Sequence, residues 1–340
     1  MSEKQLPVLI VGGSGVVGAK TAGLLRALHP ELPITIGGRD REKARAVAAR
    51  IGGAETATID LDRPDLGLPA DHHFGAIAVL LRDRTLNTLR YATAERIPYL
   101  SVSTGVFEIG PEVAMSSRHR DRAPVLLASH WLAGAAVFPT LHLTAGYRRL
   151  DTIRIGAVLE AADMGGPAAA EDYDRLTTAA PATLVFRNGR AEWITGEDAD
   201  ATVRRADGTV VRAQAYAPFD MISLAAATEA RDIRFDLAYD PTAEHPDRPL
   251  STEILIEVSG EKNGTRTTSR YEIVQPGGQA ALTALGVALA VERLAGLDGR
   301  PAAAPGLYLP ETLLDPAYVV GRMQEFGAEI RTRETQEVNA

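Results

Sequence analysis

Four apolar residues, Val8-Leu9-Ile10-Val11, run directly into Gly12-Gly13-Ser14-Gly15-Val16-Val17-Gly18. A short apolar run with no polar break reads as a buried parallel strand. Behind the glycines, Val16 to Leu28 places Val17, Leu24, Leu25 and Leu28 at helical spacing, and His29-Pro30 ends the helix. Ile34-Thr35-Ile36 then forms a second strand. Strand, glycine turn, helix and strand arrive in βαβ order. The glycines fit G-x-G-x-x-G from Gly13 and G-x-x-G-x-x-G from Gly12. One glycine permits the tight turn, one lets backbone N–H groups approach a pyrophosphate, and the third lets helix pack on strand. The helix N-terminus adds partial positive charge. Gly12, Gly13, Ser14, Gly15, Val16 and Val17 are therefore expected to cradle a dinucleotide.

The tip of the second strand selects between cofactors. An NAD site places an acid there for the ribose 2′-hydroxyl. Here the chain reads Gly37-Gly38-Arg39-Asp40-Arg41-Glu42-Lys43. Arg39 follows Gly38 at the acid's position, and its planar guanidinium suits a 2′-phosphate. Arg41 and Lys43 add field. NADP is expected; the competing reading is that the next helix simply starts with charged, solvated residues and that Asp40 is the ribose acid. From Arg39 to Arg50, five basic residues stand against two acids, 5 − 2 = +3.

A third strand is expected over Thr56 to Leu61, bringing Asp60 and Leu61 toward the adenine. A fourth, Ala76 to Leu81, and a fifth, Tyr99 to Ser103, bring Leu81, Arg82, Ser103 and Thr104 to the nicotinamide half. Ligands in such sheets sit beyond the carboxyl ends of the strands. Val125 to Ala128 is a sixth strand, ending at Ser129-His130-Trp131.

From about Leu150 the pattern turns to alternation. Asn188-Gly189, Asp207-Gly208 and Asn263-Gly264 each divide two strand-like runs, the hairpin signature. They predict a mostly antiparallel sheet of five or six strands. Asp220 to Thr228 reads as a helix. Gln279 to Leu294 is a longer one, apolar on most faces and therefore buried. The fold class is α/β: an N-terminal doubly wound parallel Rossmann sheet over 1–148 and 278–340, and a mixed, mainly antiparallel substrate and dimerisation domain over 149–277.

Composition narrows the partners. With 36 basic and 44 acidic residues the net charge is −8, which argues against nucleic acid. No cysteine is present, so disulfides, thiolate metal sites and cysteine nucleophiles are excluded. No His-x-x-x-His pair supports a metal site. The start lacks a leader pattern, and Ser129, His130, Pro139 and His142 interrupt the most apolar stretch. A cytoplasmic protein without a membrane partner is expected.

With these segments in place, the sequence resembles the saccharopine dehydrogenase-like family of NADP-binding oxidoreductases. Gly12–Gly18 carries the likeness, with Gly38-Arg39 and Lys43. So do Val258-Ser259-Gly260-Glu261-Lys262-Asn263-Gly264 leading to Gln279-Ala280-Ala281-Leu282-Thr283-Ala284, and Gly306-Leu307-Tyr308-Leu309-Pro310-Glu311. The resemblance implies a Rossmann domain with an inserted substrate domain, nicotinamide-dependent redox chemistry at a C–N bond of a small-molecule substrate, and a homodimer. Ser129-His130-Trp131-Leu132-Ala133-Gly134 lacks the proline–glycine turn expected there.

Reduction of an imine or carbonyl needs a proton donor. His130, beyond a strand end, is the first candidate, and a core histidine is its alternative. Tyr173 and Asp163 follow; Asp163 opens the loop Asp163-Met164-Gly165-Gly166-Pro167. Arg82 is the candidate for a substrate carboxylate, with Arg212 and Arg270 on strands of unknown facing. The expected function is an NADP-dependent oxidoreductase acting on C=N. A carbonyl or alkene reductase and a non-catalytic NADP sensor are the alternatives.

Overall fold

The elements of the first half are β1 (Val8–Val11), α1 (Val16–Leu28), β2 (Ile34–Gly38), α2 (Arg41–Ile51), β3 (Ala54–Thr58), β4 (Ala76–Val79), α3 (Asn87–Ala94), β5 (Tyr99–Ser101), α4 (Gly110–Arg118), β6 (Pro124–Leu127) and α5 (Val137–Thr144). Then follow β7 (Arg149–Leu159), α6 (Pro167–Ala179), β8 (Thr183–Arg187), β9 (Arg190–Ile194), β10 (Asp200–Arg204), β11 (Val210–Ala215), α7 (Asp220–Ala227), β12 (Asp232–Tyr239) and β13 (Ser251–Lys262). The chain ends with β14 (Thr265–Pro276), α8 (Gln279–Leu294), β15 (Gly306–Tyr308), α9 (Pro316–Glu325) and β16 (Glu329–Gln336). This computed structural model describes residues 5–102, 104–160, 162–163, 166–179, 181–239 and 251–336.

Two units are present, one of residues 1–129 and 283–314, the other of residues 130–282 and 315–340. The first holds a seven-stranded sheet in the order β15-β6-β5-β4-β1-β2-β3, parallel at every pair. β1, β2, β4, β5 and β6 are buried at every position. That is the price of a sheet covered by crossover helices on both faces, and why these strands read as apolar runs. His29, the C-cap of α1, bonds Glu292 at 2.9 Å and ties α8 into this unit.

The second unit holds a nine-stranded sheet with the path β10-β11-β12-β7-β13-β14-β16, β8 pairing β12 and β9. β7 pairs β12 in parallel, and its other neighbour, β13, runs antiparallel. All three hairpins turn where the sequence signals them: β10 and β11 pair about Asp207-Gly208, and the other two turns have positive φ at Asn188 and Gly189 and at Asn263 and Gly264. Both central residues of that turn type need it. On β7, a Cβ at Gly156 would stand 2.7 Å from Val203 Cγ1, so the missing side chain lets β10 close over the sheet.

Several expectations are corrected here. The strands expected over Thr56–Leu61, Ala76–Leu81 and Tyr99–Ser103 end earlier, at Thr58, Val79 and Ser101. The second sheet is larger than expected and contains a parallel pair. Residues from Asp315 onward group with the second unit, because β16 pairs with β14 from Glu329↔Val274 to Gln336↔Thr267. The units also divide at Ser129/His130 and Leu282/Thr283, not at 148/149 and 277/278.

Candidate functional site

The glycine loop leaves β1 through Gly12, whose φ of +83° favours glycine. Gly12 and Gly13 both donate their N–H to the Gly37 carbonyl, at 3.0 and 3.1 Å, which pins the loop to β2. A Cβ at Gly13 would stand 2.7 Å from the Ile10 carbonyl oxygen, and one at Gly18 would collide with that of Gly12. Gly18 is thus the close-packing glycine of helix on turn. Gly15 caps α1 without a side-chain bond, and no acid lies in the first turn. The leading N–H groups of α1, including those of Val16 and Val17, have no intrahelical acceptor and face the loop end as an anion site. Ser14 Oγ reaches the tip of β2, 3.3 Å from where a Gly38 Cβ would sit.

Arg39 is the first side chain beyond β2. It is exposed and makes no hydrogen bond or ion pair with another described residue. Asp40 is the N-cap of α2, accepting the N–H groups of Glu42 and Lys43 at 3.1 and 3.0 Å. The Lys43 N–H and the Lys43 charge hold its carboxyl below the ordinary carboxylate value. Its cap role accounts for the acid that competed for the ribose. Arg41 and Lys43 occupy the first turn of α2, where the helix dipole disfavours cations, and an anion beside them offsets that cost.

Leu81 packs toward the loop, its Cδ2 3.4 Å from the position of a Gly12 Cβ. Asp60 closes a turn by accepting the Asp62 N–H at 3.0 Å. The Leu61 carbonyl accepts from Thr85 Oγ1 and Asn87 Nδ2, binding the ends of β3 and β4 together. Arg82, the candidate for a substrate carboxylate, is paired with Glu108 at 2.7 Å. Thr104 donates its N–H to Ser129 Oγ at 3.1 Å. Ser103 lies outside the described residues.

A cavity of about 160 Å³ opens at the carboxyl ends of β4 and β5, lined by Leu81, Arg82, Ser101, Thr104, Glu108 and Glu112 among others. Glu112 is buried in the first turn of α4 and accepts the Ser101 hydroxyl at 3.2 Å. Burial raises its carboxyl above the ordinary value, against the lowering pull of the Thr104 and Ser101 hydroxyls. Sequence reading missed it: an acid in a first turn is ordinarily a solvated dipole partner.

The three proton-donor candidates fall elsewhere, in the second unit. His130 is buried, its Nε2 2.7 Å from Ser223 Oγ and its ring against Phe219. Burial pushes its pKa down to about 3, so the imidazole is neutral near pH 7. This burial is the environment of the core-histidine alternative. Next to it, Asp220 clamps the Trp131 N–H at 2.6 Å. There Leu132 and Ala133 adopt φ of +48° and +55°, a left-handed turn in place of the proline–glycine turn. Such residues cost of order 1–3 kcal/mol each and persist only where their surroundings hold them.

Asp163 is buried and accepts the Gln279 N–H at 3.0 and 2.8 Å and the Thr252 hydroxyl at 2.5 Å. It caps α8, which is a structural role. Tyr173, on α6, meets Tyr239 edge to face, and burial raises its phenol above the ordinary value. Among the described residues no group of three or more His, Asp or Glu is placed to hold a metal ion, and no helix is long and apolar enough to cross a membrane.

No protein-family model and no curated protein matches the sequence. Solved structures do match in shape. Saccharopine dehydrogenase (L-Glu forming) from Saccharomyces cerevisiae aligns over 97% of this chain and 100% of its own, with a TM-score of 0.71 at 13% identity. GenD2 from gentamicin A biosynthesis, solved in complex with NAD, aligns over 100% and 98%, with a TM-score of 0.50 at 14% identity. Scyllo-inositol dehydrogenase from Lactobacillus casei aligns over 96% and 97%, with a TM-score of 0.50 at 13% identity. A parallel seven-stranded sheet with its glycine loop, joined to a mixed sheet, gives this chain a saccharopine dehydrogenase-like fold.

Proposed function

We propose that the chain is an NADP-dependent oxidoreductase that reduces, or in reverse forms, the C=N bond of a small imine or amine substrate. The dehydrogenase neighbours support redox chemistry. One observation carries NADP over NAD: Arg39 occupies the tip of β2 while Asp40 is engaged as the cap of α2. The glycine loop and the α1 N-terminus bind the pyrophosphate, and Arg39 forks the 2′-phosphate. NADPH, when bound, supplies the hydride. The chain supplies orientation and a proton. Glu112 takes the place of His130 as the acid on the cofactor side, its carboxyl raised above the ordinary value by burial in the cavity beyond β4 and β5. We place the protein in the cytoplasm as a homodimer.

The test is NADPH consumption across amines paired with aldehydes and keto acids. Turnover with any pair, faster than with NADH, is the expected result; absence of turnover with every pair overturns the C=N assignment. A nucleotide sensor is the second reading, favoured by the structural roles of His130 and Asp163. It predicts NADPH binding without consumption in the same assay.

A further inference from the structure

A second cavity, of about 670 Å³, lies wholly within the second unit. β10, β11 and β12 form its floor and α6 one wall. Its size falls in the range of small-molecule sites. The register sets Thr202 opposite Arg212 and Asp200 opposite Gln214, so these four side chains share one face of the sheet. All four line the cavity, as do Tyr173 of α6 and Tyr239 at the end of β12, with ring centroids 5.0 Å apart.

Arg205, Arg234 and Arg270 of the same unit are each closed by a carboxylate, Glu253 at 2.6 Å, Asp236 at 2.7 Å and Glu272 at 3.0 Å. Arg212 is exposed and makes no hydrogen bond or ion pair with another described residue. The side chain of Asp200, diagonal to it across the ladder, is likewise unpaired among the described residues. A planar cation thus shares the cavity lining with two aromatic rings, a hydroxyl and an amide, with one acid two positions along.

We infer that this cavity binds a small aromatic monocarboxylate. Arg212 takes the carboxylate in a fork, with Thr202 and Gln214 donating beside it. The ring of the ligand packs on Tyr173 and Tyr239. Asp200 repels a second negative charge, so selection against dicarboxylates is built into the same face. The inference is independent of the nucleotide reading, since no residue of the first unit takes part.

The experiment is calorimetric titration of the full chain, without nucleotide, using 3-phenylpropionate, its neutral amide 3-phenylpropanamide, and the dicarboxylate 3-(4-carboxyphenyl)propionate. Saturable one-to-one binding of the monocarboxylate is expected, with the amide and the dicarboxylate weaker by roughly tenfold or more. Arg212→Ala loses roughly tenfold for the monocarboxylate, Arg212→Lys recovers part of it, and Asp200→Asn narrows the gap to the dicarboxylate. Both positions are exposed, and circular dichroism checks that the variants fold. Lack of saturable binding, equal binding of the amide, or unchanged affinity in Arg212→Ala overturns the inference.

Discussion

The carboxylate of Asp40 accepts the backbone N–H of Lys43 at 3.0 Å, and this leaves Arg39 as the unpaired charge at the tip of β2. A charge-assisted hydrogen bond contributes about 1.5–3 kcal/mol. Arg39→Ala is therefore expected to weaken NADPH by roughly 10- to 100-fold and NADH by less than threefold. Dissociation constants for both nucleotides check it; equal losses would remove the 2′-phosphate from the assignment.

Glu112→Gln keeps the shape of the side chain and removes its proton chemistry. Turnover is expected to fall by roughly 100-fold while NADPH affinity stays within about threefold. Stability has its own sign. A carboxyl raised by burial is fully stabilising below the unfolded value of 4.5, and that contribution is lost as pH rises through the folded value. The parent thus loses stability on going from pH 4 toward neutrality by a component that the glutamine variant lacks. Urea midpoints at pH 4.5 and pH 8 test this, and parallel profiles would contradict it.

His130 carries the opposite slope. Above 6.5 the imidazole is neutral in both folded and unfolded chains, and its protonation has no effect. Below 6.5 the unfolded chain takes up a proton that the fold refuses until about 3, so stability falls throughout that window. Between pH 7.5 and pH 5 this removes roughly 2 kcal/mol. His130→Gln is expected to start less stable, through its altered contact with Ser223, and to lack that decline. A variant with the parent's pH profile would assign the slope to other groups.

Arg205 is buried between Glu253 and Glu160, at 2.6 and 2.8 Å. Arg205→Met leaves two acids facing one another without their cation, and is expected to cost about 3–5 kcal/mol in urea unfolding. Arg63→Ala, at the exposed Arg63–Asp65 pair, is the control and leaves the midpoint in place. A loss at Arg205 no larger than at Arg63 would mean the buried cluster is solvated.

The Rossmann half is legible because β1, β2, β4, β5 and β6 are buried at every position, so strands such as Val8–Val11 and Ala76–Val79 show no polar break. The hairpins are legible because Asn-Gly supplies the two positive φ values that the turn needs. The parallel pairing of β7 with β12 leaves no local trace, since its residues are distant in sequence. β16 reads as a polar tail because Glu329, Arg331 and Arg333 occupy alternate positions, the charges that keep an edge strand from pairing further. In the site, the phosphate cradle is a local pattern and Arg39 follows from it. The burial of His130 depends on Phe219 and Ser223, far along the chain, and that of Glu112 on Ser101 at the end of β5. Neither environment can be read from neighbouring residues.

The late strands β15 and β16 tie the fold to the order of synthesis. The first sheet borders β6 with Gly306–Tyr308, and the second covers β14 with Glu329–Gln336. At about 5–20 residues per second, the stretch from Leu127 to Gly306 takes roughly 10–40 s to emerge from a ribosome. Throughout that interval β6 presents an unpaired, wholly buried-type edge, the kind that recruits other strands. A message truncated before Gly306 would release a chain lacking both covering strands, so part of the burden of keeping this protein out of aggregates falls on Gly306–Tyr308 and Glu329–Gln336.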